Sequence, residues 1–75
     1  MPKIQNKDIQ RLSERIKEVR NLKGLTQADV ADRLEISDGH YRKYENGHLN
    51  PGYLSLVQIC NALDISLAEF FSEIN

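Results

Sequence analysis

The sequence predicts an all-α fold, a compact five-helix bundle, and three observations predict it. Apolar residues recur at steps of three and four along most of the 75 residues, the spacing of one face of a helix. Serine or threonine stands ahead of several of these runs, where a helix needs a side-chain acceptor for its first amides. Nowhere does the chain alternate apolar and polar residues over the length of a strand, and it holds no internal repeat.

Residues 1–5 lack periodicity and are expected to be a flexible N-terminal arm, with a single domain over 6–75. Asn6 or Asp8 can cap the first helix. Ile9, Leu12, Ile16, Val19 and Leu22 form its apolar stripe, with Arg11, Glu14, Arg15, Lys17, Glu18 and Arg20 between them as a solvated face. Gly24 ends it, because a glycine adopts the left-handed cap at low cost. Thr26 opens the second helix. Its hydroxyl can accept from the Asp29 amide while Asp29 reaches back, and Leu25 and Val30 form a hydrophobic staple across the cap. Ala28, Ala31 and Leu34 continue inward.

Ser37 opens the third helix, over 37–46, and Ile36 with Tyr41 repeats the staple. With Tyr41 set inward and 100° per residue, Tyr44 and Glu45 fall on the inner side. Gly39, Arg42, Lys43 and Asn46 fall outside, with Asp38 at the leading edge. Asn46-Gly47 stops this helix, and Pro51 keeps the loop from His48 to Gly52 from continuing it. Tyr53 to Leu63 is a fourth helix with Leu56, Ile59, Cys60 and Leu63 as its core stripe. Ser66 caps a short fifth helix through Phe71, with Glu69 three residues after the cap. The second and third helices, joined by a tight turn, make a helix–turn–helix, a unit that most often places its second helix in the major groove of DNA.

Composition sets bounds on function. Hydrophobic residues at 40% and charged residues at 28% exclude the disordered class. One cysteine excludes an internal disulfide and an all-cysteine metal site, and a reducing cytosol is the expected compartment. The first residues carry no apolar signal segment, and no apolar run is long enough to span a membrane. His40 and His48 are eight residues apart without a third ligand at helical spacing, so no metal is expected. With no nucleophile–base pair and no phosphate loop, neither a catalytic residue nor a cofactor is expected. The formal net charge of −1 is low for a nucleic-acid binder, but it is unevenly spread. Residues 1–23 carry +4, residues 24–47 carry −2 and residues 48–75 carry −3.

Arg15-Ile16 and Arg20, Gly24-Leu25-Thr26-Gln27, Ala31 and Leu34, Ile36-Ser37, Tyr44-Glu45-Asn46-Gly47, Pro51, and Ala62 to Leu67 with Phe70-Phe71 stand in an ordered set. On these residues the chain resembles the Cro/phage-repressor type of helix–turn–helix domain, also called the xenobiotic-response-element type. The resemblance implies a compact five-helix, phage-repressor-like domain that binds operator DNA as a two-fold dimer. It implies that Gln27 contacts a phosphate, that Asn46 is a second backbone anchor, and that positions 38, 39 and 43 read bases. It implies a structural salt bridge between Arg20 and Glu45, and dimerisation around the fourth and fifth helices.

The chain departs from that pattern on its reading surface. Asp38 stands where a longer polar or basic side chain is usual, and Gly39 offers no side-chain atoms. Asp38 suits a helix N-terminus and can also accept from cytosine. The DNA-binding set is therefore expected to be Gln27, Ser37, Asp38, Gly39, His40, Arg42, Lys43, Asn46 and His48, leaning on Arg42 and Lys43. Taken alone, those two are ordinary surface charge. Tyr41 and Tyr44 suit core packing, and Cys60 suits a buried small hydrophobe. Leu54, Leu67 and Phe71 fit one small core least easily and are the expected dimer interface.

Two functions follow from these residues. The first is a sequence-specific, DNA-binding transcriptional regulator, a repressor-like homodimer on a pseudo-palindromic double-stranded operator, cytoplasmic and nucleoid-associated. The second is a protein-interaction module of the same fold, such as an antitoxin or anti-repressor, binding a protein partner through its last two helices.

Overall fold

The structure, a computed structural model, describes residues 6–72. The expected arm at 1–5 and the last three positions of the expected domain lie outside the described residues. Five helices follow one another: α1 (Asn6–Leu22), α2 (Gln27–Leu34), α3 (Asp38–Glu45), α4 (Tyr53–Ala62) and α5 (Leu67–Phe71). The expected all-α, five-helix architecture is the one found, and there is no strand among the described residues. No helix among them is long and apolar enough to cross a membrane.

Three of the four junctions are built in the same way. Gly24, Glu35 and Asp64 take positive φ at 70°, 58° and 56° and turn the chain out of its helix. The next amide closes back five residues: Leu25 N to Arg20 O, Ile36 N to Ala31 O, and Ile65 N to Cys60 O, at 3.0–3.1 Å. A hydroxyl cap follows at once. Thr26, Ser37 and Ser66 accept from the amides of Asp29, His40 and Glu69. The Asp29 carboxylate answers Thr26 in a full capping box. The apolar residues before the caps, Leu25, Ile36 and Ile65, pack against the core to which the fourth helical residues after the caps, Val30, Tyr41 and Phe70, belong. Glu35 and Asp64 do this without being glycine, a strain of order 1 kcal/mol each that the closed turns absorb.

The core holds Ile16, Val19, Val30, Ala31, Tyr41, Leu56, Ile59, Cys60, Ala62, Leu63 and Phe70. α2 packs on α3 and α4, α1 on α3, and α5 on α4. Three expectations about α1 and α2 are corrected. Leu22 is 75% exposed rather than part of the stripe, because Arg20 occupies the inner side of the last turn and Leu25 closes it. Arg15 is buried rather than solvated, because its guanidinium reaches the backbone of α5. Ala28 is exposed, since the first turn of α2 projects beyond α4 and its inward residues begin at Val30.

Candidate nucleic-acid interface

α3 divides cleanly into two faces. Tyr41 is fully buried, Tyr44 is half-buried, and the Glu45 side chain is 3% exposed. Ser37, Asp38, Gly39, His40, Arg42, Lys43 and Asn46 are all exposed, as is His48 in the following loop. The helix starts on the Ser37 hydroxyl, which accepts from the His40 amide at 3.0 Å. At the other end the Lys43 carbonyl accepts from the His48 and Leu49 amides, and Gly47 takes φ 81°. The Asn46 side chain accepts from the His48 amide at 3.2 Å, so the loop is held beside the helix end. His40 is not free to swing: its ring stacks on Tyr44 at 5.6 Å, one turn further along. A Cβ on Gly39 would meet only the Arg42 guanidinium at 3.9 Å, so the backbone is open to an approaching surface here.

The inner face is locked by a charged cluster. Arg20 Nε donates to Glu45 Oε2 at 2.6 Å and Nη2 to Oε1 at 3.1 Å, a two-pronged pair between α1 and α3. Arg20 Nη1 also donates to the Leu25 carbonyl at 2.9 Å, which ties the start of α2 to the same point. Gln27 Nε2 donates to Glu45 Oε1 at 3.1 Å. Burial works against the Glu45 charge, but Arg20 and the polar groups beside it outweigh burial and hold the carboxyl below the usual glutamate range. The Arg20 guanidinium is correspondingly raised, chiefly by its bond to Glu45. The Tyr41 hydroxyl lies buried next to this pair without a hydrogen-bond partner of good geometry. Burial pushes its phenol far up.

Several cations of α1, of the turn that follows it and of α2 are committed to the fold. Arg15 donates to the Phe70 and Glu69 carbonyls, Lys23 to the Asp64 carbonyl, and Arg33 to the Ala62 carbonyl. Among the described residues the side chains of Arg42 and Lys43 carry no hydrogen bond or ion pair, and neither does that of Lys17 on α1. Arg42 and Lys17 line one cleft with Gln27, Glu45 and Asn46. Sequence reasoning put Lys17 on a solvated face; only the meeting of three helices shows what it stands beside.

Tyr53 and Leu54 at the start of α4 are 71% and 74% exposed, and Phe71 is 44% exposed. Leu67 is half-buried and packs on the core, so it reaches the surface only at its edge. Tyr53 is the exposed aromatic that the periodicity did not single out. Cys60 is buried, and burial pushes its thiol up, away from reactivity.

A capped outer helix held on a second helix by a closed turn, with its polar face outward, defines a helix–turn–helix protein. The chain belongs to the helix-turn-helix family of Cro/C1 type, whose model matches residues 16–70. It is 46% identical over 55 residues to the HTH-type transcriptional regulator YqaE of Bacillus subtilis, covering 73% of this chain and 47% of that protein. It is 41% identical over 59 residues to the cryptic phage CTXphi transcriptional repressor RstR of Vibrio cholerae, covering 79% of this chain and 53% of that one. The chain thus spans about half the length of the curated relatives it matches. Among solved structures it is similar to the restriction-modification controller protein C.Esp1396I, crystallised as a tetramer with its natural 35 base-pair operator. That likeness has a TM-score of 0.79 and 30% identity, over 84% of this chain and 83% of the other.

Proposed function

We propose that the chain is a sequence-specific DNA-binding transcriptional regulator that places α3 in the major groove. The observation that carries this reading is the division of α3. Its inner face is locked by Arg20–Glu45 and Tyr41, while Arg42, Lys43 and Asn46 stand outward on a capped, short helix. Lys43 suits guanine O6 and N7, a contact that discriminates by about 1–3 kcal/mol when bidentate. Asp38 at the helix start suits the cytosine amine, and Ser37, Gly39, His40 and His48 border the same surface. Gln27 uses one amide hydrogen on Glu45 and keeps the other for a phosphate at the edge of the groove. That the similar controller protein is crystallised with its operator supports DNA as the partner. Two copies would meet through Leu54 and Phe71, with Leu67 at the edge, and read a pseudo-palindrome with half-sites about one helical turn apart. Such a regulator works on the nucleoid in the cytoplasm.

One observation favours the second reading, a module that binds a protein. Asp32, Glu35 and Asp38 are all exposed and add acid at the leading end of the reading surface. Selection from a random duplex pool separates the two. The expected result is an enriched motif for the native chain, a relaxed motif for Lys43→Ala, and weaker binding with the same motif for Arg42→Ala. No enrichment at low salt would leave the protein-partner reading standing in its place.

A further inference from the structure

The cleft between α1, α2 and α3 has a volume of about 150 Å3 and is lined by Lys17, Gln27, Arg42, Glu45 and Asn46. Its one acid is already answered. Both Glu45 oxygens accept from Arg20, Oε1 accepts from Gln27 as well, and only 3% of the side chain meets solvent. What remains at the mouth is two exposed cations and an exposed amide. Among the described residues the side chains of Lys17 and Arg42 have no hydrogen bond or ion pair, although acids are near in sequence. Glu14, one turn before Lys17, accepts from Gln10, and Glu18 is paired with Arg15. Two like charges share one wall-lined space with no counter-charge, and side-chain amides stand ready to donate beside them. That is the chemistry of a site for a tetrahedral oxyanion.

We propose that this cleft seats a phosphodiester of the DNA backbone and that Lys17 is the contact supplied by α1. The inference rests on the DNA-binding reading and extends it. α1 then belongs to the bound face, and Arg42 acts on the backbone rather than on a base. One phosphate is gripped by three helices, so it fixes the angle at which α3 enters the groove.

The test is affinity against salt from 50 to 200 mM, using the duplex that the native chain selects from a random pool. Each phosphate contact contributes about 0.9 to the slope of log K against log salt. Lys17→Gln is expected to lower the slope by about one, so that affinity falls about threefold less over that range, with the selected motif unchanged. Lys17→Arg is expected to restore the slope, and Lys17→Gln with Arg42→Gln, which strip the same single phosphate, to lower it by about one as well. Lys7→Gln, ten residues earlier and about 15 Å away along α1, should keep the native slope. Lys17 is exposed, so thermal unfolding of each variant should match the native chain. A native slope in Lys17→Gln, or a changed motif, overturns the phosphate seat while leaving DNA binding intact. Failure of the native chain to select any duplex overturns both.

Discussion

Arg15 Nε donates to the carbonyl oxygen of Phe70 at 2.6 Å, so the middle of α1 is fastened to the last helix across 55 residues of chain. Nη2 takes the Glu69 carbonyl at 2.9 Å, Nη1 pairs with Glu18, and the guanidinium lies 5.8 Å from the centre of the Phe70 ring. These carbonyls stand at the end of a helix of five residues, where the Glu69 carbonyl also accepts from the amide and hydroxyl of Ser72. A helix that short does not persist by itself, so α5 depends on this grip and on Phe70 in the core. Arg15→Met keeps the stem and removes both bonds. The expected cost is about 2–3 kcal/mol in urea unfolding, with faster hydrogen exchange at the Phe70 amide. A change under about 0.5 kcal/mol would mean that α5 is held by Phe70 alone.

Acid should loosen the joint between α1 and α3. The folded Glu45 carboxyl lies below its ordinary value of 4.5. Its stabilisation is therefore fully present above that value and is lost as the pH falls through the lower, folded one. Glu45→Gln is expected to cost about 2–4 kcal/mol at pH 7, since it leaves Arg20 nearly covered without its counter-charge. It should also unfold with a flatter pH dependence below about pH 5 than the native chain. Thermal midpoints of both proteins from pH 7 to pH 3 check this; parallel curves would contradict it.

The junctions were legible in the sequence because their parts are neighbours. Leu25, Thr26, Asp29 and Val30 lie within six residues, and so do Ile36, Ser37 and Tyr41, so caps and staples follow from spacing alone. Arg15 and Leu22 were not legible for the opposite reason. Periodicity reports which side chains are apolar, and it placed Leu22 inside. Whether a surface awaits it depends on where the chain goes after Gly24. A buried arginine breaks the apolar pattern, and its acceptors, the carbonyls of Glu69 and Phe70, have no sequence signature. Lys17 is a third case. Its meaning depends on Gln27 and Arg42 arriving from two other helices.

The Tyr41 hydroxyl is buried beside Arg20 and Glu45 without a well-formed hydrogen bond. A buried polar group left in that condition costs about 1–3 kcal/mol, so removing it should not hurt. Tyr41→Phe is expected to be neutral or to stabilise by up to about 1 kcal/mol in denaturant unfolding. Tyr41→Ala, which empties a fully buried site, should cost about 3–5 kcal/mol. A loss above about 1 kcal/mol in Tyr41→Phe would show that the hydroxyl belongs to the Arg20–Glu45 network in solution.

Leu54 stands clear of the core and Phe71 meets it through an edge-on ring contact with Phe70 at 5.1 Å, which makes the proposed dimer testable largely apart from the fold. They are 74% and 44% exposed, so Leu54→Ser with Phe71→Ser should keep helical content and lower the monomer's own stability little. In a two-fold dimer each substitution is felt twice. Burying one such side chain stabilises by about 1.5–3 kcal/mol, so the double variant should weaken association ~100-fold or more. Sedimentation across a concentration series is expected to show a dimer for the native chain and a monomer for the variant. The native unfolding midpoint should rise with concentration, and the variant's should not. A native chain that stays monomeric, or a variant that still pairs, would move the dimer contact away from this face.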